Sequence, residues 1–253
     1  MKRLILILLL ALLLPLAWSG ASVAFSERPH WSTASTASID IAPNPATTRE
    51  AVIQVYAARL WGWRGALAVH SWIAVKPEDA SSYQRFDIMR WSSPPLRQRI
   101  TTEPDTRWAG NAPDLLLDRR GAEAAALIPK ILASIESYPH GKDYITWPGP
   151  NSNSFIAHIG RSVPELGLEL PPTAIGKDYI TDGALFGRAP SGQGVQLSLF
   201  GLAGLLVAPR EGLELHLLGL TLGIDPLRPA LKLPGIGRIG MPAAPERGAG
   251  GAN

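Results

Sequence analysis

A run of four polar residues at the start of an amphipathic helix is the feature of this sequence with the clearest capacity for chemistry. Residues 151–154 read Asn-Ser-Asn-Ser, and apolar residues recur at helical spacing over 155–163. One such residue is enough to cap a helix, which stabilises it by about 1 kcal/mol. The free N–H groups and the dipole of a helix start also favour an anion or oxyanion. We therefore predict a binding site lined by Trp147, Asn151, Asn153 and Ser154.

A serine in this run is the candidate nucleophile. A serine hydroxyl attacks only when a base removes its proton, so Ser152 needs a partner. His70 lies in an apolar run typical of a central strand, and Asp87 lies in the next predicted strand. In the resulting hypothesis, His70 is the base for Ser152 and Asp87 orients His70.

Each of these two partners also has a purely structural interpretation. A strand histidine beside Trp72 is typical of a hydrophobic core, and a carboxylate near Arg85 is typical of a surface ion pair. Strand alternation places Asp87 on the face of Arg85, and His70 on the face of Trp72. Both interpretations stay open on the sequence alone.

The polar run resembles the nucleophile segment of the circularly permuted papain-like hydrolases of the bacterial envelope. Those enzymes carry Asn-Cys-polar-Thr/His-Phe at the start of a helix, and residues 151–155 read Asn-Ser-Asn-Ser-Phe. The resemblance implies an amidase or esterase that acts on envelope material. It departs at the nucleophile, because a serine hydroxyl lacks the intrinsic reactivity of a thiol. A non-catalytic descendant that keeps the cleft for binding, or a structural envelope module, is the alternative.

The apolar patterns predict an α+β fold with a largely antiparallel sheet of about six strands and two main helices. A permuted papain-like core would be compatible with this class. The segment 92–118 is proline-rich and is predicted as a loop. The predicted helices are 121–137 and 152–163, and the predicted strands are 51–60, 66–75, 83–91, 144–147, a hairpin of 195–207 with 213–224, and an edge strand within 227–239.

An identical hexamer, Gly-Lys-Asp-Tyr-Ile-Thr, occurs at 141–146 and again at 176–181. A single recurrence is too little for a solenoid. The repeat predicts two equivalent turn-and-strand units, and it suggests no chemistry.

The N-terminal segment predicts export. Lys2 and Arg3 precede an apolar run, and small residues at 19–21 and 22–24 fit the needs of signal peptidase. The uncharged stretch 4–25 is also long enough to cross a bilayer, so the sequence leaves cleavage and anchoring open. The predicted organisation is a signal or anchor at 1–24, a linker at 25–49, one domain at 50–240 and a disordered tail at 241–253.

Charge and cysteine content restrict the function classes. The chain has 24 basic and 21 acidic residues, but two of the basic ones are Lys2 and Arg3, so the exported part is nearly neutral. This balance predicts no nucleic-acid partner. The lack of cysteine excludes disulfides, thiolate metal sites and lipidation of an N-terminal cysteine. We expect no cofactor and no metal, a peptidoglycan or lipid ligand, and a periplasmic location with inner-membrane association.

Three longer runs stand out, at residues 69–75, 147–155 and 170–179. Together they resemble an uncharacterised family of proteobacterial envelope proteins, domain of unknown function 3750. The resemblance implies a bacterial source and an envelope location, and it supplies no activity and no site residues.

Overall fold

The computed structural model describes residues 2–26 and 30–243, with the side chains of residues 4 and 5 left out. Three α-helices and two antiparallel sheets make up this part, so the predicted α+β class is confirmed. The helices are α1 (Lys2–Ala24), α2 (Gly121–Glu136) and α3 (Ser152–Ser162).

The first sheet has five strands in the order β4-β3-β2-β1-β5. Its central strands are apolar on both faces, as expected for strands that are covered on both sides. The strands are β1 (Val52–Arg59), β2 (Val69–Lys76), β3 (Tyr83–Ile88), β4 (Leu96–Thr101) and β5 (Asp114–Arg120).

Two helices cover one face of this sheet. Odd-numbered residues of β1 and β2, such as Ile53 and Ile73, point to this side and pack with Ile131 of α2 and Phe155 of α3. The opposite face carries the even-numbered residues, among them Trp72 in a second, smaller cluster. The sheet therefore separates two layers that do not share side chains.

The predicted linker is bound to this second face. The described residues 30–50 form no helix, and within them the only bridge joins Ser38 to Thr106. The carboxylate of Asp105 accepts hydrogen bonds from the Ser38 hydroxyl and from the backbone N–H groups of residues 41 and 42, at 2.6 to 3.1 Å. The hydroxyl of Tyr83 donates to the carbonyl of Pro43 at 2.8 Å. This segment is thus a cover for the sheet rather than a free connector.

The second sheet is a seven-stranded meander in the order β12-β11-β10-β9-β8-β7-β6. Each long strand predicted here, 195–207 and 213–224, is in fact two strands joined by a turn. The strands are β6 (Phe186–Gly187), β7 (Val195–Ser198), β8 (Ala203–Ala208), β9 (Gly212–Leu217), β10 (Leu220–Asp225), β11 (Ala230–Leu233) and β12 (Gly237–Gly240).

The two faces of this meander have the reverse of the usual polarity. On β9, Glu214 and His216 are fully buried. Leu213, which precedes Glu214 in the strand, is exposed. Lys232 of β11 is also buried, and its neighbour Leu231 is exposed. Charged residues therefore face the body of the protein and aliphatic residues face outward.

Some predictions from the sequence differ from the structure. The segment 92–118 contains β4 and the start of β5, and residues 144–147 form no strand. The meander and the five-stranded sheet together contain twelve strands in the described residues, about twice the number predicted. Most of the predicted tail, from residue 244 on, lies outside the described part of the chain.

Candidate functional site

The polar run at the start of α3 is a helix cap. The side-chain oxygen of Asn151 accepts hydrogen bonds from the backbone N–H groups of Asn153 and Ser154, at 2.9 and 3.2 Å. The Ser154 hydroxyl accepts from the N–H of Asn151 at 2.7 Å, which completes a capping box. Because these contacts occupy N–H groups of the first turn, they reduce its capacity to hold an anion.

Asn153 joins three segments of backbone. Its amide nitrogen donates to the carbonyls of Val69 and Ile175, at 3.0 and 2.9 Å. Its oxygen accepts from the Ser71 hydroxyl at 2.8 Å. The amide of Asn151 also donates to the carbonyl of Ile175, at 3.1 Å. Both asparagines are at least 96% buried, so they serve the fold rather than an open cleft.

Ser152 and His70 lie on opposite faces of the five-stranded sheet. The hydroxyl of Ser71 donates to the carbonyl of Ser152 at 3.3 Å, so Ser71 points to α3. Successive strand residues point to opposite faces, so His70 points away from α3. There its ring stacks on Trp108, with centroids 3.7 Å apart. The predicted catalytic arrangement is therefore not formed, because the sheet stands between its base and its nucleophile.

Asp87 belongs to a buried ion pair. Its carboxylate accepts a hydrogen bond from Nε of Arg85 at 3.0 Å, and both side chains are 99% buried. The guanidinium of Arg85 also lies 4.2 Å from the centroid of the Trp72 ring. Burial lowers the pKa of Arg85 to about 10 in spite of Asp87. Asp87 thus shares a face with Arg85, as strand alternation predicted, and its charge is balanced by Arg85 within a buried rather than a surface ion pair.

The environment of His70 keeps its ring neutral. Burial, followed by the positive charges of Arg85 and Arg99, lowers the pKa of His70 well below its usual value. Within the described part of the chain, Nε2 of His70 has no hydrogen-bond partner. A buried neutral histidine that stacks on Trp108 and also contacts the ring of Trp72 fits the structural interpretation weighed above.

Trp147, the remaining residue of the predicted binding site, lies on the surface. It is 48% exposed, and its indole N–H donates to the carbonyl of Leu218 at 2.9 Å. Since Asn151 and Asn153 are buried in backbone contacts, they do not form a joint lining with Trp147. Among residues 2–26 and 30–243, no cluster of three or more His, Asp or Glu residues could hold a metal ion.

A different part of the molecule has open cavities, beside α1. One of about 260 Å³ is lined by residues that include Trp18, Ser19 and Gly235. A second, of about 490 Å³, lies between α1 and the 3₁₀ turn Gly62–Ala66. The Ser19 hydroxyl donates to the carbonyls of Ala66 and Gly235, at 2.6 and 3.1 Å. Helix α1 is therefore docked on the domain by a buried polar contact.

Four exposed tryptophans lie on α1, in the 3₁₀ turn that contacts it, or close to that turn. Trp18 lies on the helix, and Trp63 lines the larger cavity beside it; they are 71% and 65% exposed. Trp61 precedes the 3₁₀ turn, and His30 contacts both Trp61 and Trp31 with ring centroids about 6 Å apart. The four tryptophans, Trp18, Trp31, Trp61 and Trp63, form the tryptophan group of α1. Tryptophans at this kind of position are typical of a membrane–water interface.

The sequence held a signal for the inverted meander that its hydrophobicity alone could not resolve. Leu213-Glu-Leu-His-Leu217 alternates with the period of a strand. Such alternation defines two faces without stating which one is inside. The usual rule assigns the leucines to the core, and here the rule fails because Glu214 and His216 have buried partners.

A family model described as "Protein of unknown function (DUF3750)" matches residues 50–179, just over half of the chain. The matched range contains the five-stranded sheet with α2 and α3, while α1 and the meander lie outside it. No curated protein and no solved structure matches the chain.

Proposed function

This chain belongs to the DUF3750 family of proteins of unknown function, and we propose that it is a membrane-anchored, non-enzymatic module of the bacterial envelope. In this proposal α1 is retained after export, and it holds the folded domain at the periplasmic surface of the inner membrane. Lys2 and Arg3 stay on the cytoplasmic side, in keeping with the distribution of positive charge around membrane helices.

The observation that carries the proposal is the way α1 combines a membrane helix with a docking contact. Leu6–Ala24 is long and apolar enough to cross a membrane, and no other helix in the described residues is. Yet the same helix buries Ser19 against the backbone of Ala66 and Gly235. A hydroxyl with two buried carbonyl partners is a specific contact, which a leader that is only removed does not need.

The docking also argues against cleavage. The segments that fit signal peptidase, 19–21 and 22–24, lie within α1, and the first contains the buried Ser19. A protease that needs an extended substrate would have to break this contact before it could act. The docked helix therefore supports retention of α1 over its removal.

The absence of an assembled triad favours a non-enzymatic role over the serine hydrolase hypothesis. The two predicted partners of Ser152 do not reach it, because His70 points to the other side of the sheet and Asp87 pairs with Arg85. A fluorophosphonate probe tests this directly. We expect no labelling of Ser152 in the native protein, and labelling that the Ser152→Ala variant abolishes would revive the hydrolase. The peptidoglycan ligand stays a prediction.

The intact mass of the membrane-bound protein tests the anchor. After expression in a bacterial host, alkaline extraction should leave the chain in the membrane pellet, with a mass that includes the whole of α1. A mass that lacks 21 or 24 residues would show cleavage after Ala21 or Ala24 and would overturn the proposal. An exported host protein with a known cleaved leader provides the control that signal peptidase is active in the same cells.

A further inference from the structure

We propose that the seven-stranded meander is a lipid-binding surface. Its aliphatic outer face, together with the two hairpin turns at its α1 end, enters the same bilayer that holds α1. The ligand is the acyl region of one phospholipid leaflet. The meander enters this leaflet and does not cross the bilayer. The inference rests on the proposed function in one respect, since it takes α1 as membrane-inserted.

The outer face of the meander carries no charge. Leu205 of β8 pairs with Leu215 of β9, and Ile224 of β10 pairs with Leu213 on one side and Leu231 on the other. Eight aliphatic or aromatic side chains on this face each expose nearly half of their surface or more. They are Phe186, Val195, Leu205, Val207, Leu213, Ile224, Leu231 and Ile239. A contiguous patch of this kind is rare on a soluble monomer and marks an interaction surface.

The inner face fixes this orientation. Glu214 is held between Lys177 and Lys232, at 2.8 and 2.7 Å, and Lys232 also contacts Glu169 at 2.8 Å. Turning the sheet over would place the leucines against the body of the protein and would break these ion pairs. The outward aliphatic face is therefore a fixed property of the fold.

Two hairpin turns carry bulky apolar residues in a backbone conformation that such residues avoid. Leu218, in the two-residue turn between β9 and β10, has φ +53°, and Phe200, between β7 and β8, also has φ +53°. Asparagine, aspartate or glycine is the usual choice at positive φ, because a large side chain there is strained. Phe200 and Leu218 are nonetheless 54% and 61% exposed. Insertion into lipid gives these side chains a favourable environment that water does not provide.

The two ends of the meander differ in polarity. The turns that contain Phe200 and Leu218 lie at the same end as Gly235, which contacts Ser19 of α1. At the opposite end the turns carry Arg210 and Arg228, together with one exposed leucine, Leu227. The apolar end is thus the end to which the membrane helix is attached.

The depth of α1 points to the same conclusion. About 20 helical residues are needed to cross the hydrocarbon core. Among the described side chains of α1, the first buried one is Leu12, about halfway along its 23 residues. If α1 spans the bilayer, the part of the domain that touches it from Leu12 onward must lie at the level of the lipid. Helix α1 contacts the 3₁₀ turn, β10 and β11, and so it brings the apolar end of the meander to that level.

Lipid explains these features together, and a second copy of the chain explains only some. Sheet-to-sheet packing with another copy would cover the outer face, but it leaves unexplained the exposed turns at the end beside α1. Helix α1 contacts β10 and β11, and it also exposes apolar side chains, among them Leu10 and Leu13. The exposed turns lie at the end of the meander beside this helix, whereas residues of the outer face such as Val207 and Ile224 lie toward the other end of the strands. A bilayer is broad enough to contact the helix, the turns and the face together.

Site-directed spin labelling of the full chain tests the proposal, because the protein has no native cysteine. The variants Val207→Cys and Leu231→Cys report on the outer face, and Leu218→Cys reports on the turn. Lys142→Cys, in an exposed loop, is the aqueous control, and Leu10→Cys reports on α1. In phosphatidylcholine vesicles, labels on the face and the turn should be several-fold more accessible to oxygen than to a nickel chelate. The label at residue 142 should show the reverse.

The outcomes separate the two proposals. If Leu10 is in lipid but residues 207, 218 and 231 are accessible to the nickel chelate, the meander does not bind lipid and the anchor stands. If Leu10 is also in water, both proposals fail. If labels on the face are protected from both reagents, and show spin–spin coupling to another copy, a protein partner covers the face and the lipid proposal is wrong.

Asparagine variants of the turns supply a second test that a folding defect cannot mimic. Asparagine tolerates positive φ, so Phe200→Asn with Leu218→Asn should leave the melting temperature unchanged or raise it by a few degrees. The same pair should lower the oxygen accessibility of a label at residue 217, which adjoins the turn of Leu218, by at least twofold. The matched control, Leu227→Asn, removes an equally exposed leucine at the opposite end and should change neither quantity. A turn pair that leaves lipid contact intact would contradict the role of these two residues.

Discussion

Asn153 shows how a side chain that looks catalytic in the sequence can be entirely structural. Its amide group satisfies the carbonyls of Val69 and Ile175 and accepts from Ser71 in a site that excludes water. Replacement by alanine removes three buried hydrogen bonds, although the Ile175 carbonyl keeps another donor and the Ser71 hydroxyl keeps another acceptor. A buried hydrogen bond contributes about 1 kcal/mol, so we expect Asn153→Ala to lower the free energy of unfolding by about 3 kcal/mol.

Urea unfolding in detergent, followed by tryptophan fluorescence, measures this loss. Ser152→Ala is the matched control, because Ser152 contributes its carbonyl and not its side chain to the contact with Ser71. Its effect should stay below about 1 kcal/mol. An equal loss in both variants would contradict the assignment of Asn153 as the residue that joins the three segments.

His70 makes the stability of the domain depend on pH. Burial and the nearby Arg85 and Arg99 lower the folded-state pKa of His70 well below the unfolded value, near 6.5. Below pH 6.5, the unfolded chain therefore binds a proton at His70 that the folded chain does not bind. The stability that His70 contributes is complete above pH 6.5 and is lost as the pH falls below it.

His70→Phe keeps an aromatic ring for stacking on Trp108 and removes the titration. Between pH 7.5 and 5, we expect the wild type to lose about 2 kcal/mol more than this variant. Urea titrations of both proteins at the two pH values provide the comparison. His30→Phe is the control, since His30 is exposed, and it should follow the wild-type pH dependence. A difference that does not change with pH would mean that His70 has the same pKa in the folded and the unfolded chain, and it would contradict the prediction.

At the scale of the elements, apolar periodicity predicted the bounds of those helices and strands whose apolar face packs in the protein core. Helix α2 was predicted at 121–137 and extends from Gly121 to Glu136, with Pro129 accommodated inside it. Strands β1, β2 and β3 also lie within or close to their predicted ranges. Strand β4 escaped prediction because its residues are largely exposed and it follows two prolines, which hide the apolar alternation.

The functional assignments could not follow from the sequence to the same extent. Whether Ser152 and His70 meet depends on which face of β2 packs against α3, and that is decided by tertiary contacts such as the one between Ser71 and Asn153. The repeated hexamer also shows that tertiary contacts decide the environment of a residue. Lys177 is buried beside Glu214, whereas its counterpart Lys142 is exposed, so identical local sequence leads to opposite environments.

The inverted polarity of the meander has an energetic consequence for β9. Burial alone would raise the pKa of Glu214, but Lys177 and Lys232 lower it to about 2. The carboxylate is therefore ionised between two buried ammonium groups. Glu214→Gln removes the carboxylate that Lys177 contacts, whereas Lys232 keeps its contact with Glu169. We expect a loss of about 3–5 kcal/mol in the free energy of unfolding.

The neighbouring residue on β9 offers a matched control on the other face. Leu213→Gln introduces the same side chain at an exposed, aliphatic position, and it should change the free energy of unfolding by no more than about 1 kcal/mol. Urea unfolding at pH 7 compares the two variants. If Leu213→Gln were the more harmful one, the leucines and not the ion pairs would stabilise this sheet.

At the scale of the whole molecule, charge and apolar surface are separated into different layers. Outside residues 1–24 the chain has 22 basic and 21 acidic residues, and the aliphatic face of the meander has none. The domain therefore has little net positive charge to attract anionic lipid, and contact with the membrane must come from apolar burial. Apolar burial is insensitive to ionic strength, whereas attraction between exposed charges is screened within about 10 Å at 0.1 M salt.

This separation predicts how the membrane contact of the meander responds to its surroundings. The oxygen accessibility of a label at Leu231→Cys should be the same in neutral vesicles and in vesicles with anionic lipid. It should also be unchanged between low salt and 0.5 M sodium chloride. A label at Arg64→Cys, beside the exposed Trp63, controls for general changes at the surface. Contact that weakens at high salt would assign the association to the basic residues near α1, because only an electrostatic attraction is screened in this way.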